Sequence, residues 1–369
     1  MTHYKMSDVA VEVNDRENNP ASSKYDRFVG LEHYVSGEVI IRNYGSTENL
    51  ESTMKIFQSG DVLVARRNVY LKRASMVDFD GLTSGDSIVL RAKNPVIGRI
   101  LPFVLNTDAF WDFADQYSDG TMSKRLSPKT LMTYEFDLPD EEELEKFADL
   151  LWAANDTRES YQALLRQTDE LVKSQFIELF GDIPAEDYKS LSDVCKIITD
   201  GTHQPPKFVD KGIPFLLVSN ITSNAITYDT PKYITKETYD VLMKRTPIEI
   251  GDILLSTVGS YGHPAIVKDT TPFSFQRHIA YLKPDSRIIN SVYLHTAILS
   301  EDVQNQIEVM VLGVAQKTLN LSSIRGIKIP VPSLERQLSF NLFVEQTDKS
   351  KYYEQNRIFS VTRGGELCA

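Results

Sequence analysis

The uninterrupted run from Asp140 to Phe180, which contains neither proline nor glycine, constrains the fold of this chain most strongly. Pro139 and four acidic residues mark its start, and Gly181 and Pro184 mark its end. About forty residues at ~1.5 Å each form a rod of ~60 Å. Apolar residues recur in it at coiled-coil spacing, namely Leu144, Phe147, Leu151, Ala154, Tyr161, Leu165, Val172 and Leu179. We therefore predict one long spacer helix that requires a partner helix.

Three landmarks occur twice in the same order along the chain. Met6-Ser7-Asp8-Val9 returns as Leu191-Ser192-Asp193-Val194, and Gly60-Asp61-Val62-Leu63 returns as Gly251-Asp252-Ile253-Leu254. The third set contains Gly120, Lys124, Leu126, Leu131, Leu138-Pro139 and Phe147, which match Gly313, Lys317, Leu319, Ile324, Val331-Pro332 and Phe340. A small increase in offset from one landmark to the next is what loop insertions produce between two copies of one unit. The chain therefore reads as globule, helix, globule, helix.

The predicted fold class is α+β, with two repeated α/β domains separated by two long antiparallel coiled-coil helices. Short β-rich runs such as 62–65, 87–91, 252–257 and 278–283 alternate with helical spacing at 108–117, 290–299 and 301–310. The helices are expected to be antiparallel because the domain between them must return the chain to its origin. The predicted boundaries are 1–139 and 181–333 for the domains, 140–180 and 334–360 for the central and distal helices, and 361–369 for a tail.

Composition and motifs argue against the common enzyme classes. The six histidines and two cysteines lack metal-ligand spacing, and the glycines of residues 259–262 are not followed by the lysine of a phosphate-binding loop. Neither Asn94-Pro95-Val96 nor Gln204-Pro205-Pro206-Lys207 completes an amino-methyltransferase loop. We therefore predict no catalytic site, no metal site and no cofactor bound by this chain.

Basic and polar residues on turns of both globules are the remaining candidates. Each could be a solvated turn residue, and the net charge of −11 argues against non-specific binding to nucleic acid. However, the repeat places Lys124 opposite Lys317, and the Arg66-Arg67 segment opposite residues 256–261, on one scaffold with different side chains. Such side chains can contact base edges and phosphates. The predicted DNA-binding residues are Arg66, Arg67, Lys72, Arg73, Lys124, Arg125, Thr202, His203, Lys207, Ser260, Tyr261, Gln276, Arg277 and Lys317.

Ordered segments of the second half resemble the specificity subunit of type I restriction-modification systems. They are Thr199-Asp200-Gly201-Thr202-His203, Gly212-Ile213-Pro214-Phe215-Leu216, Gly251 to Ser256, Phe275 to Ala280, Gly313 to Leu321 and Ile329-Pro330-Val331-Pro332. The first half departs from this pattern, because Arg66-Arg67-Asn68 replaces the Ser-Thr-Val-Gly form and residues 119–124 replace the Gly-Val-Ala-Gln-Lys form. Its assignment therefore depends mainly on the internal repeat.

The resemblance implies two target-recognition domains that each read one half of a bipartite site in double-stranded DNA. It also implies two modification subunits as partners, which use S-adenosylmethionine to methylate adenine, and restriction subunits in the full complex. Because the longest apolar runs fall short of the ~20 residues of a membrane span, we expect a cytoplasmic protein without membrane contact. Two alternatives remain open, namely a non-enzymatic coiled-coil scaffold with protein-binding globules, and an enzyme of unrecognised type.

Overall fold

The computed structural model describes residues 1–120, 123–311 and 317–349. The Gly313 landmark, the distal part of the predicted 334–360 helix and the 361–369 tail lie outside these ranges. The chain divides into two compact units, Met1–Glu159 and Ser160–Ala369, here called the first and second units. Within the described ranges, no helix combines the length and the apolar character that a membrane crossing demands.

Within its described residues, the first unit contains eleven strands and the start of the long helix. In chain order its elements are β1 (Thr2–Lys5), α1 (Met6–Val9), β2 (Ala10–Val13), β3 (Arg16–Glu17), β4 (Arg27–Val29), β5 (Gly45–Ser46), β6 (Met54–Phe57), β7 (Val62–Ala65), β8 (Ala74–Met76), β9 (Gly81–Thr83), β10 (Ser87–Ala92), α2 (Pro95–Val104), α3 (Asp108–Tyr117), α4 (Pro128–Leu131), β11 (Glu135–Leu138) and α5 (Leu144–Phe180).

The second unit begins within α5 and repeats this order in shorter form. Its further elements are β12 (Tyr188–Ser190), α6 (Leu191–Val194), β13 (Cys195–Asp200), β14 (Ile213–Leu216), β15 (Tyr233–Ile234), α7 (Lys236–Leu242), β16 (Ile253–Ser256), β17 (Pro264–Ile266), β18 (Ser274–Phe275), β19 (Ile279–Pro284), α8 (Ser291–Leu299), α9 (Glu301–Met310), α10 (Leu321–Gly326), β20 (Lys328–Pro330) and α11 (residues 334–349).

The sheets of the two units have the same strand order, which agrees with the predicted repeat. The first unit has a four-stranded sheet β2-β10-β7-β8 and an antiparallel pair β1-β11, and the second unit has β13-β19-β16-β17 and β12-β20. A further sheet in each unit contains one parallel pair, β4 with β9 and β14 with β18. The two landmark helices, α1 and α6, each follow the first strand of their unit.

Each four-stranded sheet is buried on both faces. In β7, Val62 and Val64 face one hydrophobic core while Leu63 and Ala65 face another. In β16, Ile253 and Leu255 likewise face one core, and Leu254 faces the other. Side chains alternate between faces along a strand, so a strand covered on both sides is apolar at every position. This explains the continuous apolar runs at these two landmarks.

The turn before β7 recurs before β16 with the same hydrogen bonds. Asp61 accepts from the amide of Gln58 at 2.8 Å, and Asp252 accepts from the amide of Glu249 at 2.7 Å. Both carboxylates are buried and contact a cation on the neighbouring central strand, Arg91 at 2.8 Å in the first unit and Lys283 at 3.3 Å in the second. The Gly-Asp landmark is therefore a structural turn.

Side-chain caps start the matching helices. The Asn94 side chain accepts from the amides of Val96 and Ile97, and the Asn290 side chain accepts from those of Val292 and Tyr293. Pro95 occupies the first turn of α2, where its missing N–H costs nothing. Asn94-Pro95-Val96 is therefore a helix start. This segment was tested only as a methyltransferase motif in the sequence, so α2 was not predicted.

The long helix is confirmed, although it begins at Leu144 after a 3₁₀ turn of Glu141–Glu143. Two of the predicted heptad positions are wrong, because Ala154 and Leu179 are exposed. The buried positions include Asn155 in the first unit, and Phe176 and Phe180 in the second. Here the helix packs against the hydrophobic core of each unit, so the core side chains decide which of its positions are buried.

Within the second unit, α11 lies antiparallel to the end of α5. Arg336 donates a hydrogen bond to the carbonyl of Leu179, and Phe340 packs edge-on against both Phe180 and Phe176. Val344, further along α11, belongs to the same hydrophobic core as these aromatic residues. Residue numbers therefore rise along one helix and fall along the other, as predicted.

Candidate nucleic-acid interface

Three loops meet at one end of the four-stranded sheet of the first unit. This surface, the first tip, consists of residues 66–68, 84–86 and 124–126. The amide of Arg66 donates to the carbonyl of Asp86 at 2.9 Å, and the amide of Leu126 donates to the carbonyl of Arg66 at 2.8 Å. Arg67 pairs with Arg125 in a single β-bridge. The backbone therefore brings three predicted DNA-binding arginines to one place.

The second unit has an equivalent surface, the second tip, which consists of residues 257–259, 276–278 and 317–319. The amide of Thr257 donates to the carbonyl of His278 at 3.0 Å, and the amide of Leu319 donates to the carbonyl of Thr257 at 2.8 Å. Val258 pairs with Thr318 in a single β-bridge. The two tips therefore share their backbone hydrogen bonds while their side chains differ.

A left-handed residue occupies the same place in each tip. Asn68 has φ 55° and donates its amide to the carbonyl of Lys124, whereas Gly259 has φ 73° and donates to the carbonyl of Lys317. Asparagine tolerates this conformation better than most residues, and glycine adopts it without strain. Asn68 therefore replaces the glycine of the second half without a change in the loop.

The arginines of the first tip surround one carboxylate. Arg67 donates to Asp86 at 3.2 Å, and Arg125 donates to the other carboxylate oxygen. Arg66 is half-buried and donates to the carbonyl of Leu126 at 3.2 Å; burial, and then the charge of Arg125, lower its pKa. Three guanidinium groups against one carboxylate leave this surface with a net positive charge.

Lys72 and Arg73 follow the first tip, but their side chains have internal partners. Lys72 contacts Asp108 at 2.5 Å, which raises the pKa of the lysine. Arg73 donates to the carbonyls of Leu31 at 2.9 Å and Arg67 at 3.1 Å. Arg73 therefore supports the backbone of the first tip.

The matched lysines of the two tips have matched acidic partners. Lys124 contacts Asp115 on α3 at 2.5 Å, and Lys317 contacts Glu308 on α9 at 2.6 Å. Tyr261 donates to Glu308 and lies 3.2 Å from the Lys317 ammonium, while Ser260 beside it is exposed. Asp115 and Glu308 were not among the predicted residues, although they are separated by the same offset as the two lysines.

Two predicted DNA-binding segments of the second unit lie side by side. Thr202 in one segment forms a single parallel β-bridge with Gln276 in the other. The amide of Arg277 donates to the carbonyl of Thr202 at 3.2 Å, and the exposed Arg277 side chain donates from Nε to Nε2 of His278 at 3.2 Å. Gln276 is half-buried. Arg277 is therefore the more accessible of the two predicted reading residues.

The loop after β13 carries the other predicted residues of the second unit. His203 contacts Asp200 at 2.8 Å, and Arg245 contacts the second oxygen of that carboxylate at 2.6 Å. Lys207 is exposed and forms no ion pair with any residue in the described ranges. Sequence reasoning missed Arg245, which lies far along the chain from Asp200.

The described part of the chain contains no cluster of three or more His, Cys, Asp or Glu side chains able to hold a metal ion. The acidic residues near the tips instead contact arginine, lysine or histidine side chains. The geometry of both tips therefore suits the binding of an anionic polymer through basic and polar side chains.

Comparison with known proteins agrees with this geometry. Residues 186–358 match the family model of the type I restriction modification DNA specificity domain. The chain is 31% identical over 146 residues to the Type I restriction enzyme EcoBI specificity subunit of Escherichia coli, covering 40% of this chain and 31% of that protein. It is 21% identical over 279 residues to the MjaVIII specificity subunit of Methanocaldococcus jannaschii, covering 70% of this chain and 65% of that protein.

A solved structure has a similar fold. The S subunit of a type I restriction-modification system from M. genitalium aligns over 99% of this chain and 94% of its own, with a TM-score of 0.51 and 14% identity. Residues 186–358 thus match a DNA specificity domain, and the two units have a repeated α/β fold. The chain is similar to type I restriction-modification specificity subunits, and it spans less than two thirds of the length of the two curated relatives.

Proposed function

We propose that this chain is the sequence-specific DNA-binding subunit of a type I restriction-modification complex. Each unit reads one half of a bipartite site in double-stranded DNA. The observation that carries this proposal is the pair of tips, which share backbone hydrogen bonds but differ in side chains. Base edges are distinguished by side-chain donors and acceptors, so one scaffold with different side chains suits two half-sites of different sequence.

The side chains of the tips fall into two proposed roles. Arg67, Arg125 and Arg277 are exposed and present guanidinium donors suited to guanine. Lys124, Lys207 and Lys317 are point charges suited to phosphate, whose contribution to affinity is independent of sequence. Ser260, Thr202 and His203 are accessible polar groups beside them.

Modification subunits are the proposed partners, as the resemblance to specificity subunits implies. Leu164 and Leu171 are exposed one heptad apart on α5, and Leu338 and Leu342 are exposed one turn apart on α11. Apolar side chains at such spacing are suited to packing against further helices. We propose two modification subunits, with restriction subunits added in the full complex.

The chain itself is proposed to be non-catalytic and to bind no cofactor. S-adenosylmethionine would bind to the modification subunit, where adenine is methylated. The cytoplasm, where DNA and these partners meet, is the proposed location. The boundaries 1–139, 140–180, 181–333, 334–360 and 361–369 remain the proposed division into recognition domains, helices and tail.

Selection from a randomised duplex library by the full chain, with and without a co-expressed modification subunit, tests this function. The expected result is enrichment of two short sequence blocks at a fixed spacing. A coiled-coil scaffold that binds only proteins would enrich no sequence, and that outcome would reject the proposal.

Arg277→Ala sharpens the test, since Arg277 precedes β19 at the second tip. It is expected to relax the preference for one base pair in one half-site by ~1 to 3 kcal/mol. Arg287→Ala is the matched control, because Arg287 is an exposed arginine beyond the opposite end of β19. Equal weakening of both half-sites by Arg277→Ala would instead assign Arg277 to the scaffold.

A further inference from the structure

One position is equivalent in the two tips but holds different chemistry. Asp86 directly precedes β10, and its carbonyl accepts from the amide of Arg66. His278 directly precedes β19, and its carbonyl accepts from the amide of Thr257. The residues two positions earlier also correspond, because the carbonyls of Ser84 and Gln276 accept from the first amides of β10 and β19 at 3.1 Å.

At this position the first unit places a carboxylate beneath two arginines. The Asp86 side chain is 23% exposed, whereas those of Arg67 and Arg125 are 49% and 48% exposed. Each arginine uses one terminal nitrogen on a different oxygen of Asp86. A guanidinium has five N–H donors in a fixed plane, so both arginines retain donors that point away from the carboxylate.

The second unit places an imidazole at this position and takes its arginine from a different loop. The positions equivalent to Arg67 and Arg125 hold Val258 and Thr318. Arg277 instead follows Gln276 and donates from Nε to His278. Among the residues that the structure describes, none accepts a hydrogen bond from the two terminal amino groups of Arg277, so both can make a bidentate contact.

The imidazole of His278 has to be neutral to accept this hydrogen bond. Burial, and then the positive charge of Arg277, lower the pKa of His278, so the neutral form predominates at pH 7. With Nε2 accepting, the ring proton is on Nδ1. A neutral acceptor holds the guanidinium plane without cancelling its charge, in contrast to the carboxylate of Asp86.

We propose that Asp86 and His278 are the positioning residues of the two recognition surfaces, each of which fixes the orientation of the arginines that read its half-site. Asp86 orients two arginines, Arg67 and Arg125, and His278 orients one, Arg277. This inference rests on the proposed DNA-binding function. It assigns the same role to one repeated position in the two units, with a carboxylate in the first unit and an imidazole in the second.

The test compares substitutions at this position in the full chain, read by selection on randomised half-sites. Asp86→Asn keeps the size of the side chain but removes the charge that holds Arg67 and Arg125. Preference within one half-site is expected to fall ~5- to 100-fold while the other half-site is unchanged. Because one negative charge is removed, affinity for random duplex is expected to rise and to depend more steeply on salt.

Asp149→Asn is the matched control, since Asp149 on α5 forms an exposed ion pair at 2.6 Å with Arg99 on α2, and neither residue belongs to the first tip. It is expected to change neither half-site. In the second unit, His278→Leu removes the acceptor and is expected to relax only the other half-site. His278→Gln retains an acceptor oxygen and is expected to restore the preference substantially.

The outcomes separate this inference from the function on which it rests. No enriched sequence with the unaltered chain would reject the DNA-binding proposal and the inference together. Enrichment by the unaltered chain, with Asp86→Asn and His278→Leu leaving both half-sites intact or relaxing both equally, would reject the inference alone. If Asp86→Asn does not fold, the His278 pair decides the question, and failure of His278→Gln to restore preference overturns it.

Discussion

Gly60 and Gly251 show how single residues maintain the repeated scaffold. They have φ of 90° and 91°, and their amides donate at 2.8 and 2.9 Å to the carbonyls of Val77 and Val267, which directly follow β8 and β17. A side chain at positive φ brings Cβ close to the backbone, so glycine is the residue that adopts this turn without strain. The turn then places Asp61 and Asp252 at their buried positions.

Gly60→Ala is expected to destabilise the first unit by ~1 to 2 kcal/mol because of its backbone conformation alone. Beyond the glycine and its two chain neighbours, an added Cβ there would meet no atom within 4 Å, so overlap with other residues does not contribute. Gly85→Ala is the control, because Gly85 has equal space and no positive φ. Urea unfolding measures both, and equal effects would contradict the strain argument.

At the scale of elements, the contact between α5 and α11 depends on aromatic residues rather than on leucines at heptad positions. Phe340 is fully buried and packs against Phe176, Phe180 and Tyr293. Leu338, on the same helix, is 52% exposed. The helices therefore share the core of the second unit, which fixes the antiparallel pairing more strongly than a simple coiled-coil seam.

Phe340→Ala is expected to cost ~3 to 5 kcal/mol of unfolding free energy, through lost burial and the cavity left behind. Leu338→Ala, on the same helix, is expected to change stability by less than about 1 kcal/mol, because its side chain is already largely in water. The comparison is made by chemical unfolding of the full chain. Similar values for the two variants would mean that α11 does not dock through Phe340.

At the scale of the whole molecule, net charge limits the affinity of the isolated chain for DNA. A net charge of −11 opposes contact with DNA except where basic residues gather, as at the first tip. Partners that contribute further basic surface would remove this limit. Affinity for a bipartite site is therefore expected to rise when modification subunits are present.

Leu171→Asp is expected to weaken association with the modification subunit at least tenfold, because it places a charge on an exposed apolar position of α5. Leu171→Met preserves an apolar side chain and is expected to associate normally. Sedimentation of the co-expressed proteins measures association, and thermal unfolding confirms that both variants fold.

The isolated chain is expected to show no DNA methylation, DNA cleavage or ATP hydrolysis. Any of these activities from the pure chain would contradict the proposal that catalysis belongs to the partner subunits.

The local sequence by itself determined those helices and strands whose apolar pattern and end signals lie within one continuous segment. The long helix, β7, α3 and α9 follow from apolar periodicity and from stop signals, since backbone propensity and burial act on neighbouring residues. The repeat was likewise visible, because matching turns require the same residue types. The helix α2 was missed because Pro102 lies inside it, and proline within a segment normally argues against a helix. Packing against the tertiary core stabilises this helix despite the proline.

Only the tertiary structure decided which residues meet. It brought Asp86 to Arg67 and Arg125, and Asp200 to Arg245, from separate parts of the chain. It also moved the buried face of α5 from Ala154 and Leu179 to neighbouring positions, because a globular core rather than a straight partner helix covers that face. Such contacts depend on strand pairing and loop closure over long separations, and no local pattern of residues records them.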